Sequence, residues 1–294
     1  MRLASSQTHH VQERDGFVLE VDVSKVILVL CDGLRYDTAV EVMGYLEHLV
    51  EHQNAKRYLV KGELPTISRP MYATIMTGTP VSTHGITSNW VVKQVETPSI
   101  FSVARENGKR TAASAYFWFS ELFNGCPYVP SQDKECEDPA KNIQYGRFYT
   151  TDEMPDEETF NAGNILLNKY APDFLLIHPM GMDTYGHKHG PESNEYRNNA
   201  LLIDIILATC IPDWLEKGYT VMVTSDHGMS RNNSHNGTLP EARDVPLYII
   251  PPSNCGKLTE HANPSMLCIA PTMLEIMGLP VPETMRVPGL LHAK

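Results

Sequence analysis

Three aspartates and three histidines stand behind apolar runs or in the loops that follow them. Asp32 comes after "VILVLC", Asp183 and His187 lie in "DTYGHKHG" beyond "FLLIHPMGM", Asp226 and His227 follow "TVMVTS", and His235 sits in "NNSHNG". Carboxylates and imidazoles form the mixed ligand set that divalent ions of the zinc or manganese kind accept. Two such ions about 4 Å apart clamp the attacking and leaving oxygens of a phosphoryl displacement. Each residue alone has a plainer reading. Asp32 serves as a turn residue before Gly33, Asp226 as a helix cap beside a satisfied His227, His235 as loop filler, and the Asp183/His187 spacing is common. Taken together, the six point to a binuclear metal site.

A hydroxyl nucleophile is available in "PTISRPMYATIMTG", residues 65 to 78. Ser is a favoured N-cap and Pro suits a first helical turn, so a cap is the default reading of Ser68. With a metal constellation in the same chain, Ser68 is expected both to cap the helix and to attack, because a helix N-terminus favours the anion that forms there.

Such residues need a rigid frame. Apolar runs rich in β-branched residues recur at 25–30 "KVILVL", 111–117 "TAASAYF", 173–178 "DFLLIH", 219–224 "YTVMVT" and 245–250 "VPLYII", with helix-like segments such as "TPSIFSVARENG" and "NEYRNNALLIDIILATCIPDWLEKG" between them. This alternation predicts an α/β fold, with the candidate ligands at strand ends where loops converge. A chain of 294 residues suits one domain, 1–294, and apolar periodicity fades only at about 120–160, either a cap over the site or a surface excursion.

The net charge of -11 argues against binding a nucleic-acid polymer, and an anionic substrate then needs the local positive field that bound metals supply. "MRLASSQTHHVQERDGF" lacks an apolar leader and no later run reads as a membrane span, so a soluble cytoplasmic protein without a membrane partner is expected. Of six cysteines, Cys31, Cys210 and Cys268 read as packed thiols, while Cys126 and Cys136 lie in a loop-like stretch and are spaced to pair in an oxidising compartment. The oligomeric state is not legible.

In order along the chain, "VLCDGLRYD", "PTISRPMYATIMTGTPVSTHGITSN", "DTYGHKHGP", "TSDHGM", "HNGTLPEARDVPLYI" and "APTMLEIMGLPVPE" resemble the alkaline phosphatase superfamily, in its type I phosphodiesterase and nucleotide pyrophosphatase branch. The resemblance implies a three-layer αβα sandwich around a largely parallel sheet and a two-metal hydrolase of phosphoric esters. Asp32, Asp226 and His227 then match the ligands of one metal, bridged to Ser68, and Asp183, His187 and His235 those of the other, with zinc expected or manganese in its place. Ser68 falls where the branch carries a nucleophilic Thr, and Asn89, 21 residues later, where it has an Asn that binds a phosphoryl oxygen. His84 and His189 match no ligand position.

Arg69 stands where nucleotide-processing members usually have a base-stacking aromatic. A guanidinium there is expected to contact the negative charge of a small anionic phosphoester or phosphonate, against a plainer reading in which it pairs with a surface acid. Only seven residues separate His227 from His235, where larger members of the branch insert a long segment. Alternatives to a phosphodiesterase are a phosphomonoesterase or phosphonate hydrolase, a phosphomutase or phosphotransferase, and a non-catalytic metal-binding protein.

Overall fold

The computed structural model describes residues 25–252 and 258–291. The N-terminal segment read above as leaderless lies outside the described residues. Among the described residues, eight strands run β1 Lys25–Leu30, β2 Lys56–Lys61, β3 Thr111–Tyr116, β4 Glu135–Glu137, β5 Tyr145–Tyr149, β6 Phe174–Ile177, β7 Tyr219–Thr224 and β8 Asp244–Ile250. They form one sheet in the order β2-β8-β7-β1-β6-β3-β5-β4. The central strands are parallel, while β8 runs antiparallel to both β7 and β2, and β4 antiparallel to β5.

β1 shows why the sheet is covered on both faces. Val26, Leu28 and Leu30 enter one core cluster, and Ile27, Val29 and Cys31 the other. A parallel strand buried on two sides reads as an unbroken apolar run, because successive side chains alternate faces. Helices Ser68–Thr77, Ile100–Glu106 and Ile269–Ile276 bury their apolar residues in the first cluster, and Gly44–Glu51, Asp156–Tyr170 and Asn194–Glu216 in the second. The three-layer αβα arrangement expected from the sequence is the one observed.

Asn194–Glu216 is long and apolar enough, by length and composition, to cross a membrane, which corrects the expectation that no run approaches that length. In this fold it is a core helix: Ile203, Leu207, Ile211 and Trp214 are buried in the second cluster. Residues 120–160 supply β4 and β5 at one sheet edge and the start of the helix Asp156–Tyr170. Cys126 is exposed and Cys136 buried, and both are free thiols.

Register sets the position of the site. Leu30 of β1 pairs with Thr224 of β7, and Val29 with Ile177 of β6, so three neighbouring parallel strands end together. Asp32, His178 and Asp226 therefore leave the sheet side by side. Gly33 has φ +79°, and a Cβ there would come within 2.8 Å of the Asp183 backbone, so the turn after Asp32 requires glycine.

Candidate active site

The strand-end loops bring six carboxylate and imidazole side chains into contact. His227 Nε2 lies 3.4 Å from Asp32 Oδ1 and 3.3 Å from Asp226 Oδ2. Asp183 Oδ1 lies 3.3 Å from His187 Nε2 and 3.7 Å from His235 Nε2. The two sets adjoin, because the rings of His227 and His235 stack with centroids 3.6 Å apart. Ligand atoms of Asp32, Asp226 and His227 lie within 4.8 Å of one another, as do those of Asp183, His227 and His235, so His227 belongs to both groups.

The histidine tautomers are set by backbone carbonyls. Nδ1 of His187 faces Asn233 O at 2.8 Å, Nδ1 of His227 faces Gly228 O at 2.9 Å, and Nδ1 of His235 faces Thr66 O at 2.6 Å. A carbonyl only accepts, so each Nδ1 carries a proton and each Nε2 faces a carboxylate; on His187 the Asp183 carboxylate also favours a proton at Nε2, one that a bound ion would displace. Asp32 Oδ1, Asp183 Oδ1 and Asp226 Oδ2 are buried and accept no hydrogen bond. Lone pairs and anionic oxygens converging without donors are the arrangement a divalent cation satisfies.

Electrostatics agree with that reading. Burial and the neighbouring Asp226 and Asp183 charges hold the Asp32 carboxyl well above its usual range, and burial with the Asp183 charge pushes Asp226 up to about 8. Burial also pushes His235 down to about 3, whereas the Asp183 carboxylate raises His187 to about 9. Buried acids that repel one another this strongly take up protons in the bare site, or a cation that offsets their charge.

Ser68 meets this cluster from the helix Ser68–Thr77. The N-cap is Ile67, with no side-chain cap hydrogen bond, so the expected capping role falls to no hydroxyl. Ser68 is the first helical residue, and its Oγ lies 3.2 Å from His227 Nε2. Asn89 Oδ1 accepts the Arg69 N–H at 3.0 Å, which leaves the Asn89 amide NH2 as a donor beside Ser68. His84 instead packs inside the fold, with Nε2 3.0 Å from Thr74 Oγ1 and Nδ1 accepting from Ile86 N. His189 stacks on Tyr185, with ring centroids 6.0 Å apart.

Arg69 departs from the expectation. Its Nη2 donates to Glu121 Oε2 at 2.6 Å, and its guanidinium lies over Trp118, 4.5 Å from the ring centroid. The partner is a buried acid, not a surface one, and it neutralises the charge expected to meet substrate.

Three residues of this centre were not among the sequence candidates, although His178 ends the apolar run "DFLLIH" as Asp32 and Asp226 follow theirs. The Tyr72 hydroxyl and His178 Nε2 both reach Asp32 Oδ2, the latter at 3.2 Å, and Tyr149 OH lies 2.9 Å from His178 Nδ1.

The model of the family described as type I phosphodiesterase / nucleotide pyrophosphatase matches residues 26–242, which contain every residue of this cluster. The chain belongs to that family. Among curated relatives, human GPI ethanolamine phosphate transferase 3, catalytic subunit, is 23% identical over 88% of this chain and 25% of its own length. Human GPI ethanolamine phosphate transferase 2, catalytic subunit, is 25% identical over 88% of this chain and 27% of its own. The chain thus spans about a quarter of the length of these relatives.

Among solved structures, murine ectonucleotide pyrophosphatase / phosphodiesterase 5 superposes with a TM-score of 0.65 at 12% identity, covering 91% of this chain and 97% of that one. An inactive form of that murine protein is in complex with AMP, a phosphoester. The C-terminal periplasmic domain of EcEptC from Escherichia coli superposes at 0.62 and 10% identity, covering 88% and 83%. At these identities the likeness is one of fold.

The cytoplasmic expectation is overturned by these relatives. The curated ones are named for GPI, a glycolipid, and a structural neighbour is a periplasmic domain. A short N-terminal stretch without an apolar run was too little to fix the compartment.

Proposed function

We propose that this chain is a metal-dependent phosphodiesterase that works through a covalent phospho-serine on Ser68. The observation that carries this reading is the convergence of Ser68 Oγ on His227 Nε2, where Asp32 and Asp226 also present unpartnered oxygens. Asp32, Asp226 and His227, with the Ser68 oxygen, would hold one divalent ion, and Asp183, His187 and His235 the other. Zinc suits this donor set, as does manganese. When bound, such ions lower the pKa of a nearby hydroxyl and offset negative charge on phosphoryl oxygens.

Ser68 gives up its proton to solvent, which also protonates the leaving oxygen and later returns a proton to Ser68, and Oγ attacks phosphorus. The Oγ–P bond forms as the bond to the leaving oxygen breaks, and that oxygen departs as an alcohol once protonated. The Asn89 amide donates to a non-bridging oxygen, where charge develops, and the positive end of the helix Ser68–Thr77 faces the same atoms. A water oxygen then attacks phosphorus, the Oγ–P bond breaks, and Ser68 recovers its proton. Arg69 takes no part in reading substrate charge.

The names of the curated relatives favour a second reading, in which an alcohol replaces water in the second step and the chain is a phosphotransferase. One experiment addresses both. Metal-replete protein is acid-quenched during turnover of bis-nitrophenyl phosphate and mapped by mass spectrometry, and products are followed by phosphorus NMR with and without an alcohol or a GPI-type glycolipid acceptor. Ser68 should carry the phosphoryl adduct, with water as the acceptor that accounts for most product. Product formed mainly on the added acceptor supports the transferase, and turnover with no adduct on Ser68 sinks both.

A further inference from the structure

The fully buried His178 follows β6 directly and is not among the ligand candidates. Its place is fixed by backbone: His178 N donates to Ser114 O at 2.9 Å, and the next residue, Pro179, accepts the Asp32 N–H at 3.0 Å. The imidazole is thereby held beside the Asp32 side chain at the point where β1 and β6 leave the sheet. Tyr72 meets it edge-on, with centroids 4.9 Å apart, and Phe119 packs at 5.0 Å.

The hydrogen bonds around this ring run one way. The Tyr149 hydroxyl lies 2.9 Å from His178 Nδ1 and donates to the His178 carbonyl oxygen at 2.5 Å. No backbone carbonyl claims a proton at Nδ1, since a hydroxyl can accept or donate, and the carboxylate oxygen that Nε2 faces only accepts, which places the ring proton on Nε2 with Nδ1 sharing the Tyr149 hydroxyl. Nε2 faces Asp32 Oδ2 at 3.2 Å, and the Tyr72 hydroxyl donates to that same oxygen. Tyr72 lies four residues after Ser68 on one helix, so the nucleophile's helix also holds this carboxylate.

Two donors on Oδ2 and none on Oδ1 divide the work of Asp32 between its oxygens. Oδ2 is taken by protein donors, and Oδ1 is left facing His227 Nε2 without a hydrogen bond. The tautomer of His178 is the reverse of that in His227 and His235, whose backbone partners take the Nδ1 proton and leave Nε2 as a lone pair. The same ring type thus donates at one position and is free to ligate at the others, according to what meets Nδ1.

We infer that His178, oriented by Tyr149, is a positioning residue that together with Tyr72 fixes Asp32 as a one-oxygen ligand through Oδ1. This rests on the two-metal reading given above and adds residues to it. Losing the donor frees the Asp32 carboxylate to rotate and weakens the ion held with Asp226 and His227, leaving the Asp183 group unaffected.

The test is calorimetric titration of metal-stripped protein with zinc, with cobalt absorption spectra as a second readout and circular dichroism as a check of folding. Wild type should bind two ions. His178→Phe, which keeps a ring but no donor, should retain one at wild-type affinity and bind the other about 10- to 100-fold more weakly. His178→Gln, whose amide nitrogen can stand in for Nε2, should recover most of that loss. Tyr149→Phe, which keeps the imidazole but releases its tautomer, should fall between them and carries the test should His178→Phe fail to fold. Folded His178→Phe or Tyr149→Phe binding both ions at wild-type affinity would overturn the assignment, as would a folded His178→Gln no better than His178→Phe. A wild-type chain that binds no divalent ion would refute the two-metal reading itself.

Discussion

Arg69 and Glu121 form an ion pair sealed inside the protein, with Nη2 donating to Oε2 at 2.6 Å and side-chain exposures of 2% and 7%. Glu121 Oε1 also accepts from Tyr128 N at 3.1 Å, which ties the pair to the loop before the helix Pro130–Asp133. Breaking such a pair strands a charge without solvent. Arg69→Met and Glu121→Gln should each cost about 3 to 5 kcal/mol of stability, and Arg69→Met/Glu121→Leu should recover part of it. Urea unfolding measures this. The same single variants should lose activity equally on a nitrophenyl monoester and a bis-nitrophenyl diester; selective loss on the monoester would return Arg69 to the substrate.

Ser68→Ala removes the hydroxyl that lies against His227 and nothing else in the hydrogen-bond network. Turnover of bis-nitrophenyl phosphate should fall at least about a thousandfold with the melting temperature unchanged, and Ser68→Thr should stay partly active. If Ser68→Ala kept more than about a tenth of the rate, water would be attacking directly.

How much of this could be read in advance depended on burial. β1, β6 and β7 are covered on both faces and announce themselves as apolar runs, so Asp32 and Asp226 were recognisable as strand-end residues. β2 "KRYLVK" and β4 "ECE" lie at the sheet edges and mix charge with apolar residues, so periodicity passed them over. Tyr72, Tyr149 and His178 come from three separate elements and meet only through tertiary packing, and no spacing rule finds such a set. Arg69 and Glu121 are 52 residues apart for the same reason. Ser68 was visible as a helix-start residue, but which atom its hydroxyl faces depended on the fold.

Metal stoichiometry should separate the two ligand groups. Asp183 lies in one group and His227 in both. Asp183→Ala and His227→Ala, one from each proposed ligand set, should each lose one divalent ion per chain. Elemental analysis after dialysis gives the counts. Loss of both ions in His227→Ala would make His227 a ligand in both groups and overturn the division proposed above.

Asp156 provides a stability readout away from the ligands. Its carboxylate accepts from Gly181 N and from Asn199 Nδ2, both at 3.0 Å, and so anchors the start of the helix that carries Asp183. Burial outweighs those hydrogen bonds and raises Asp156 from 3.8 to about 6. The folded state then binds the proton more tightly than the unfolded chain, so the group's stabilising contribution is complete below about pH 4 and lost as pH rises through about 6. A difference of about two units corresponds to about 3 kcal/mol at this largely desolvated site. Asp156→Asn keeps an acceptor for Gly181 N and meets Asn199 through a flipped amide, without a charge to bury. Relative to wild type it should therefore gain about 3 kcal/mol between pH 4 and pH 7.5, measured as the difference between the two proteins' urea unfolding free energies at each pH. Because other carboxylates titrate identically in both proteins, they cancel in that difference. A wild-type-minus-variant difference that stays flat with pH would mean that Asp156 is ionised in the folded protein throughout, with its two hydrogen bonds outweighing burial.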